Sequence, residues 1–137
     1  MDVKNVLIRI DEDFIKNGAA GVDEDDVQKV MDKAEDIKQK VINSDRLKKF
    51  VKDVKLLFSM IKDYWNGCYP RIPWWVIAAI VFALLYILNP VDLIPDIFPV
   101  IGLVDDAAVL ALCLALTEKD IKKYQQWKDS KEQTAEV

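Results

Sequence analysis

Apolar residues recur at three- and four-residue spacing through residues 23–66, which predicts two amphipathic helices that are each buried on one face. The first begins after Asp23, in the acidic run DEDD, where carboxylates cap free N–H groups and favour the positive end of the helix dipole. The second begins after Ser44, a favourable N-cap residue, and ends near Gly67. We expect the two apolar stripes to pair as a helical hairpin.

The polar face of the second helix is rich in lysine. Ordinary solvated side chains explain such a face, and contact with anionic lipid headgroups is the alternative. The lysines are Lys48, Lys49, Lys52, Lys55 and Lys62.

Residues 1–22 carry a weaker pattern. VKNVLIRI is compatible with a short strand or an apolar arm, and NGAAG at 17–21 predicts a turn or linker. We interpret this stretch as an N-terminal arm.

Residues 74–89, WWVIAAIVFALLYILN, have no polar face. A helix that is apolar all round is buried either in a protein core or in lipid. The 15 residues before Asn89 would span about 22 Å, which is short of the ~30 Å hydrocarbon core of a bilayer. Length alone therefore leaves the environment open.

A second helix follows Gly102 and is also apolar all round before it becomes polar. Between the two helices, three prolines prevent one regular helix through 89–99. We expect an antiparallel apolar hairpin over 74–127 with a rigid turn.

Charge is segregated along the chain. Residues 72–118 carry five acidic and no basic residues, so the net charge of −4 comes from the apolar block. With a pI near 4.9, nucleic-acid binding is disfavoured. The sequence has no histidine, which excludes catalysis by histidine and metal ligation by histidine. Its two cysteines have no CxxC spacing, so they indicate neither a disulfide scaffold nor a zinc site.

Antiparallel pairing would bring all four tryptophans, and most of the nearby basic residues, to the open end of the apolar hairpin. An aromatic belt with Lys and Arg is typical of the cytoplasmic boundary of a membrane. A helical bundle in water gives no reason for the bases to collect at one end. We therefore predict contact with a lipid bilayer through Trp65, Trp74, Trp75, Trp127, Arg71, Lys119, Lys122 and Lys123.

The turn itself, NPVDLIPDIFPVIGLVDD at 89–106, resembles the signature of the YkvA-like family of bacteria and archaea. The resemblance implies a small α-helical, membrane-associated protein, and it implies no reaction, ligand or partner. The positions that carry it are Asn89, Pro90, Val91, Asp92, Leu93, Ile94, Pro95, Asp96, Pro99, Gly102, Asp105 and Asp106.

The four aspartates of this motif have two main interpretations. They are architectural if they cap the following helix and accept N–H bonds in tight turns. They form a site for a divalent cation such as calcium, magnesium or manganese if their carboxylates converge. A raised pKa on one aspartate, or a basic partner, are further alternatives. The candidate ion ligands are Asp92, Asp96, Asp105 and Asp106.

We therefore predict an all-α protein: an arm at 1–22, an amphipathic hairpin at 23–67, an apolar membrane-associated hairpin at 68–128 and a polar tail at 129–137. The predicted function is a scaffold or adaptor at the cell membrane without enzymatic activity or cofactor, with cytoplasmic termini and other membrane proteins or a second copy as partners. The alternatives are a cation-binding or transport accessory protein and a soluble helical interaction domain. A metal-dependent membrane hydrolase is disfavoured because the sequence offers no nucleophile with an adjacent base.

Overall fold

The computed structural model describes residues 13–69, 71–89 and 106–135, the last four of these as backbone only. Every regular element in these ranges is helical, so the prediction of an all-α fold is confirmed. After a helical segment at 13–20, the elements are α1 Glu24–Asp32, α2 Ala34–Asn43, a 3₁₀ turn Lys48–Phe50, α3 Val51–Trp65, α4 Trp74–Leu88, α5 Asp106–Leu116 and α6 Glu118–Ala135.

The start of α1 follows the sequence closely. The Asp23 carboxylate accepts a hydrogen bond from the Asp26 N–H at 3.0 Å, and the Asp26 carboxylate accepts one from the Asp23 N–H, also at 3.0 Å. This reciprocal arrangement satisfies two N–H groups that the helix leaves open. The predicted single helix is nevertheless two, because Lys33 leaves helical geometry and separates α1 from α2.

The second amphipathic helix begins through a short 3₁₀ turn. The Ser44 hydroxyl accepts a hydrogen bond from the Leu47 N–H at 3.3 Å, as its predicted capping role requires, and regular α-helix then begins at Val51. The helix is followed by Gly67, whose φ of 78° lies in the left-handed region that glycine adopts without a steric penalty.

The uniformly apolar helix α4 lies at the centre of the molecule. All residues from Val76 to Ile87 are buried, and α4 packs against α1, α2 and α5. Of the two environments that the sequence allows for this helix, a protein core or lipid, the structure shows the first for its flanks, because α1, α2 and α5 cover them. Contact of the predicted apolar hairpin with lipid stays a prediction. The sequence could not separate the two cases, since both demand an apolar surface all round.

The chain runs antiparallel where α4 and its preceding segment meet α5 and α6. The Cys113 thiol contacts the Ala79 carbonyl oxygen at 3.5 Å. Further toward the N-terminus, the Tyr69 ring lies 4.8 Å from that of Trp127 between centroids. Since one partner's number falls as the other's rises, the two segments run in opposite directions. The predicted single helix after Gly102 is interrupted at Thr117, whose hydroxyl donates to the Cys113 carbonyl at 2.7 Å.

The end of the predicted N-terminal arm differs from expectation. Residues 13–20 are helical and the turn begins only at Gly21, so the prediction of a turn over all of 17–21 was wrong. The reason is packing: Phe14 meets the rings of Phe82 and Tyr86 edge-on, at centroid distances of 5.3 and 5.5 Å. Burial of this aromatic face stabilises a helix where the glycine suggests a loop.

Gly18 allows this segment to approach α4. A Cβ atom there would lie 2.2–2.5 Å from the ring of Phe82, which is buried in the core. We therefore expect Gly18→Ala to lower the free energy of unfolding by about 1–3 kcal/mol, as overpacking does, in a denaturant titration. Gly21→Ala is the matched control, because its Cβ would make an ordinary contact at 3.7 Å. Equal stability of the two variants would contradict the close packing.

Candidate functional site

The C-terminal end of α4, where the 89–106 motif begins, is bound by the N-terminal half of the chain. The Lys40 ammonium donates a hydrogen bond to the Leu88 carbonyl oxygen at 2.7 Å. A cation suits this position because the last carbonyls of a helix have no partner within it and carry the negative end of the dipole. Asn89 forms the C-cap of the same helix.

Asp106, the last residue of the motif, begins α5. Its Oδ1 accepts a hydrogen bond from the Ala107 N–H at 3.0 Å and lies 4.0 Å from Nη2 of Arg46. The positive partner of Asp106 therefore comes from the first half of the chain. Because the side chain of Arg46 is 69% exposed, this ion pair contributes at most about 1 kcal/mol.

The other residues predicted to form the motif lie outside the described residues: Pro90, Val91, Asp92, Leu93, Ile94, Pro95, Asp96, Pro99, Gly102 and Asp105. Of the four candidate ion ligands, the structure thus places only Asp106. Among the described residues, no group of three or more cysteine or carboxylate side chains is arranged to hold a metal. The divalent-cation site stays a prediction.

The opposite end of α4 carries an exposed aromatic rim, by which we mean Trp74 and Trp75. Their exposed fractions are 40% and 52%, high for side chains of this size, and Trp65 at the end of α3 is 39% exposed. Trp74 and Trp75 also border a hollow of about 530 Å³ together with Lys16 and three alanines.

The other residues predicted to contact a membrane have mixed surroundings. Trp127 is half-buried and packs on Tyr69, with the Lys131 ammonium 5.1 Å from its ring centroid. Lys122 pairs with Glu118 at 2.9 Å. Lys119 is exposed, and Arg71 and Lys123 border a common hollow with Trp127. Contact of these residues with lipid stays a prediction, and Trp127 differs from the rim in being covered.

Four polar side chains, which we call the clamp, join α6 to α3 through hydrogen bonds. The Lys128 ammonium donates to the Ser59 hydroxyl at 2.7 Å, the Ser59 and Tyr124 hydroxyls lie 2.6 Å apart, and Tyr124 donates to the Asp63 carboxylate. Tyr124 is fully buried. Burial, and then the hydrogen bond to Asp63, raise the pKa of its hydroxyl well above the ordinary value, so Tyr124 remains a proton donor.

Sequence reasoning missed this clamp, although a signal for it exists. Ser59 and Asp63 are four residues apart on α3, and Tyr124 and Lys128 are four residues apart on α6, so each pair shares a helix face. The chain of donors runs from Lys128 through Ser59 and Tyr124 to Asp63. Because the ammonium donates to Ser59, it does not serve as a base that activates this serine as a nucleophile.

A groove of about 700 Å³ lies between α3 and the α1–α2 pair. Lys38, Lys55 and Lys62 border it, and no carboxylate is among the described residues that line it. Two lysines of the predicted polar face, Lys55 and Lys62, thus belong to this groove. Of the rest, Lys48 pairs with Asp45 at 3.4 Å and Lys49 lies over the Phe50 ring.

The two cysteines lie in different surroundings: Cys68 is exposed and Cys113 is buried. Burial raises the pKa of the Cys113 thiol to about 12. The thiolate, which is the nucleophilic form, is therefore scarce at neutral pH.

Comparison with known proteins decides the family. The chain is 38% identical over 81 residues to the "Uncharacterized membrane protein YkvA" of Bacillus subtilis (strain 168), an alignment that covers 59% of this chain and 76% of the relative. The chain belongs to the YkvA-like family. A family described as "Protein of unknown function (DUF1232)" matches residues 76–112, a range that includes the whole YkvA-like motif and much of α4 and α5. No solved structure matches the chain significantly.

The resemblance to YkvA-like proteins that the motif indicated is thus confirmed. Within the part of the chain that the structure describes, none of the helices combines the length and the apolar character that a membrane crossing requires.

We predict that the hydrogen bonds of the clamp stabilise the folded protein. Tyr124→Phe removes the hydroxyl that serves both Ser59 and Asp63, and leaves a partly buried carboxylate without its donor. We expect the free energy of unfolding to fall by about 1–3 kcal/mol, as measured by denaturant titration.

Tyr69→Phe is the matched control for this variant. Tyr69 belongs to the same ring cluster, with its centroid 5.4 Å from that of Tyr124, but among the hydrogen bonds of the described residues none involves its hydroxyl. This control should change stability by less than about 0.5 kcal/mol. Equal losses in the two variants would show that the bonded hydroxyl of Tyr124 contributes no more to stability than the hydroxyl of Tyr69.

Proposed function

We propose that this YkvA-like protein is a membrane-associated scaffold or adaptor without enzymatic activity, and that it attaches to the bilayer surface through its aromatic rim. The observation that carries the proposal is the exposure of Trp74 and Trp75, at 40% and 52%, on the first turn of α4. The relative from Bacillus subtilis, whose name calls it a membrane protein, supports the same assignment.

The physical reason is the amphipathic character of tryptophan. Its ring gains by leaving water, and its N–H group remains hydrogen-bonded at headgroup level, so tryptophan concentrates at the membrane–water boundary. Arg71 is exposed three residues before Trp74. A cation beside the rim adds attraction to anionic lipid.

The packing of α4 directs lipid contact to its N-terminal end. Residues 76–87 are covered by helices of the same chain, while the two tryptophans that precede them are not. In this arrangement the bilayer meets the rim rather than the flanks of α4.

The outer face of α5 supports the same orientation. Ala108, Ala111 and Ala115 are exposed, and α5 carries no charged residue after Asp106. Because α5 runs antiparallel to α4, Ala115 lies at about the level of the rim. Ala115 therefore adds apolar surface beside the rim, while Ala108 and Ala111 lie further from it along α5.

Chemistry at the described side chains supports the absence of enzymatic activity. Ser59 is held in the clamp beside an ammonium rather than a base, and Cys113 is buried with a raised pKa. Histidine is absent from the whole sequence.

The test is binding to phosphatidylcholine vesicles, measured by cosedimentation. We expect Trp74→Ala with Trp75→Ala to weaken binding by about ten-fold or more, because two partly exposed aromatic side chains no longer enter the interface.

Ile42→Ala is the matched control. Ile42 is a comparably exposed large apolar residue, at 45%, on α2, whose Lys40 contacts the opposite end of α4. This variant should bind as the original protein does. Equal losses in both variants, or no loss in the double variant with the fold intact by circular dichroism, would contradict attachment through the rim.

A further inference from the structure

We propose that the groove between α3 and the α1–α2 pair binds a phosphate ester, and that its source is the headgroup of an anionic phospholipid. This inference rests on the proposed membrane attachment and names the lipid class that the attached protein selects. Neither the motif nor the rim is part of the groove.

The first argument is charge. Lys38, Lys55 and Lys62 come from two helices and converge on one groove that no carboxylate lines among the described residues. Within the same ranges, none of the three forms an ion pair. In a chain with a net charge of −4, three ammonium groups around one concavity form a local positive field that attracts an anion.

The second argument is the polar chemistry next to these lysines. The hydroxyl of Ser59 and the amide of Asn66 also line the groove. Lys128 donates to Ser59 at 2.7 Å, so a fourth ammonium lies directly behind the groove wall. Ammonium and amide donors together suit an acceptor with several oxygens, such as a phosphate, while the Ser59 hydroxyl donates its proton to Tyr124.

The third argument is the apolar part of the wall, which favours a lipid over a fully polar phosphate compound. Met31, Phe58 and Trp65 line the groove beside the lysines, and the Lys38 ammonium lies 5.4 Å from the Phe58 ring centroid. An amphiphile would place its phosphate among the lysines and its glycerol or first methylene groups on these side chains. The volume of about 700 Å³ lies within the range of small-ligand sites.

The fourth argument is location. Trp65 lines the groove at the C-terminal end of α3, where it is 39% exposed, and eight residues join it to Trp74 of the rim. A protein that meets the bilayer through the rim would therefore bring this end of the groove toward the headgroups. A phosphate bound there would remain attached to its lipid.

The experiment compares phosphatidylcholine vesicles with vesicles of phosphatidylcholine and phosphatidic acid. We expect the unmodified protein to prefer the mixed vesicles, although its net charge opposes this. Lys55→Gln with Lys62→Gln should weaken binding to the mixed vesicles by about 30-fold, since each lysine near an anionic surface contributes about a five-fold effect. Binding to phosphatidylcholine alone should not change.

Lys49→Gln with Lys52→Gln is the matched control, because it removes the same charge from exposed positions in the 3₁₀ turn and α3 that do not line the groove. It should weaken binding to mixed vesicles by less than about three-fold, the effect of diffuse attraction alone. Equal losses in the two double variants would overturn the lipid assignment. So would the absence of any preference of the unmodified protein for vesicles that contain phosphatidic acid.

Titration calorimetry with glycerol phosphate identifies the source and separates this proposal from the previous one. Saturable binding that requires Lys55 and Lys62, without any preference among vesicles, would assign the groove to a soluble phosphate ester instead of a lipid. Failure of all vesicle binding would overturn attachment through the rim while this titration still tests the groove. Absence of both glycerol phosphate binding and vesicle preference would overturn the groove as a phosphate site.

Discussion

The helix α4 is apolar on all sides, so its exposure to water is unfavourable. Its 15 residues include no charged side chain, and twelve of them are buried by neighbouring helices. Each large apolar side chain removed from water in this way contributes about 1.5–3 kcal/mol, so the helix is unstable unless the rest of the chain encloses it. The apolar stripes of α1 and α2 supply part of this cover, α5 supplies the rest, and α3 packs in turn against α1 and α2.

Enclosure of α4 leaves its two ends with different chemistry. At the C-terminal end, Lys40 binds the Leu88 carbonyl and Arg46 approaches Asp106, so two cations from the first half of the chain lie at this end of α4. At the N-terminal end, Trp74 and Trp75 emerge from the packed helices. The same packing that buries the flanks of α4 therefore leaves these two tryptophans exposed.

How much of this could be predicted depends on the range of the interactions. Local signals gave the cap at Asp23, the turn at Gly67 and the extent of α4, because each depends on neighbouring residues. The helical segment at 13–20 depends on Phe14 meeting Phe82, a contact across almost 70 positions that no local pattern contains. The enclosure of α4 and the clamp from Ser59 to Tyr124 are of the same kind. The YkvA-like motif identified the family, but a motif alone gave no geometry for its aspartates.

Photolabelling tests the enclosure of α4 most directly. The protein is bound to vesicles that contain phospholipids with a diazirine group on the acyl chain next to the glycerol, irradiated, and mapped by peptide mass spectrometry. Enclosure by the chain's own helices predicts label on Trp74 and Trp75 and none from Ile77 to Ile87. Label distributed along the whole of α4 would show that lipid, and not α1, α2 and α5, covers this helix.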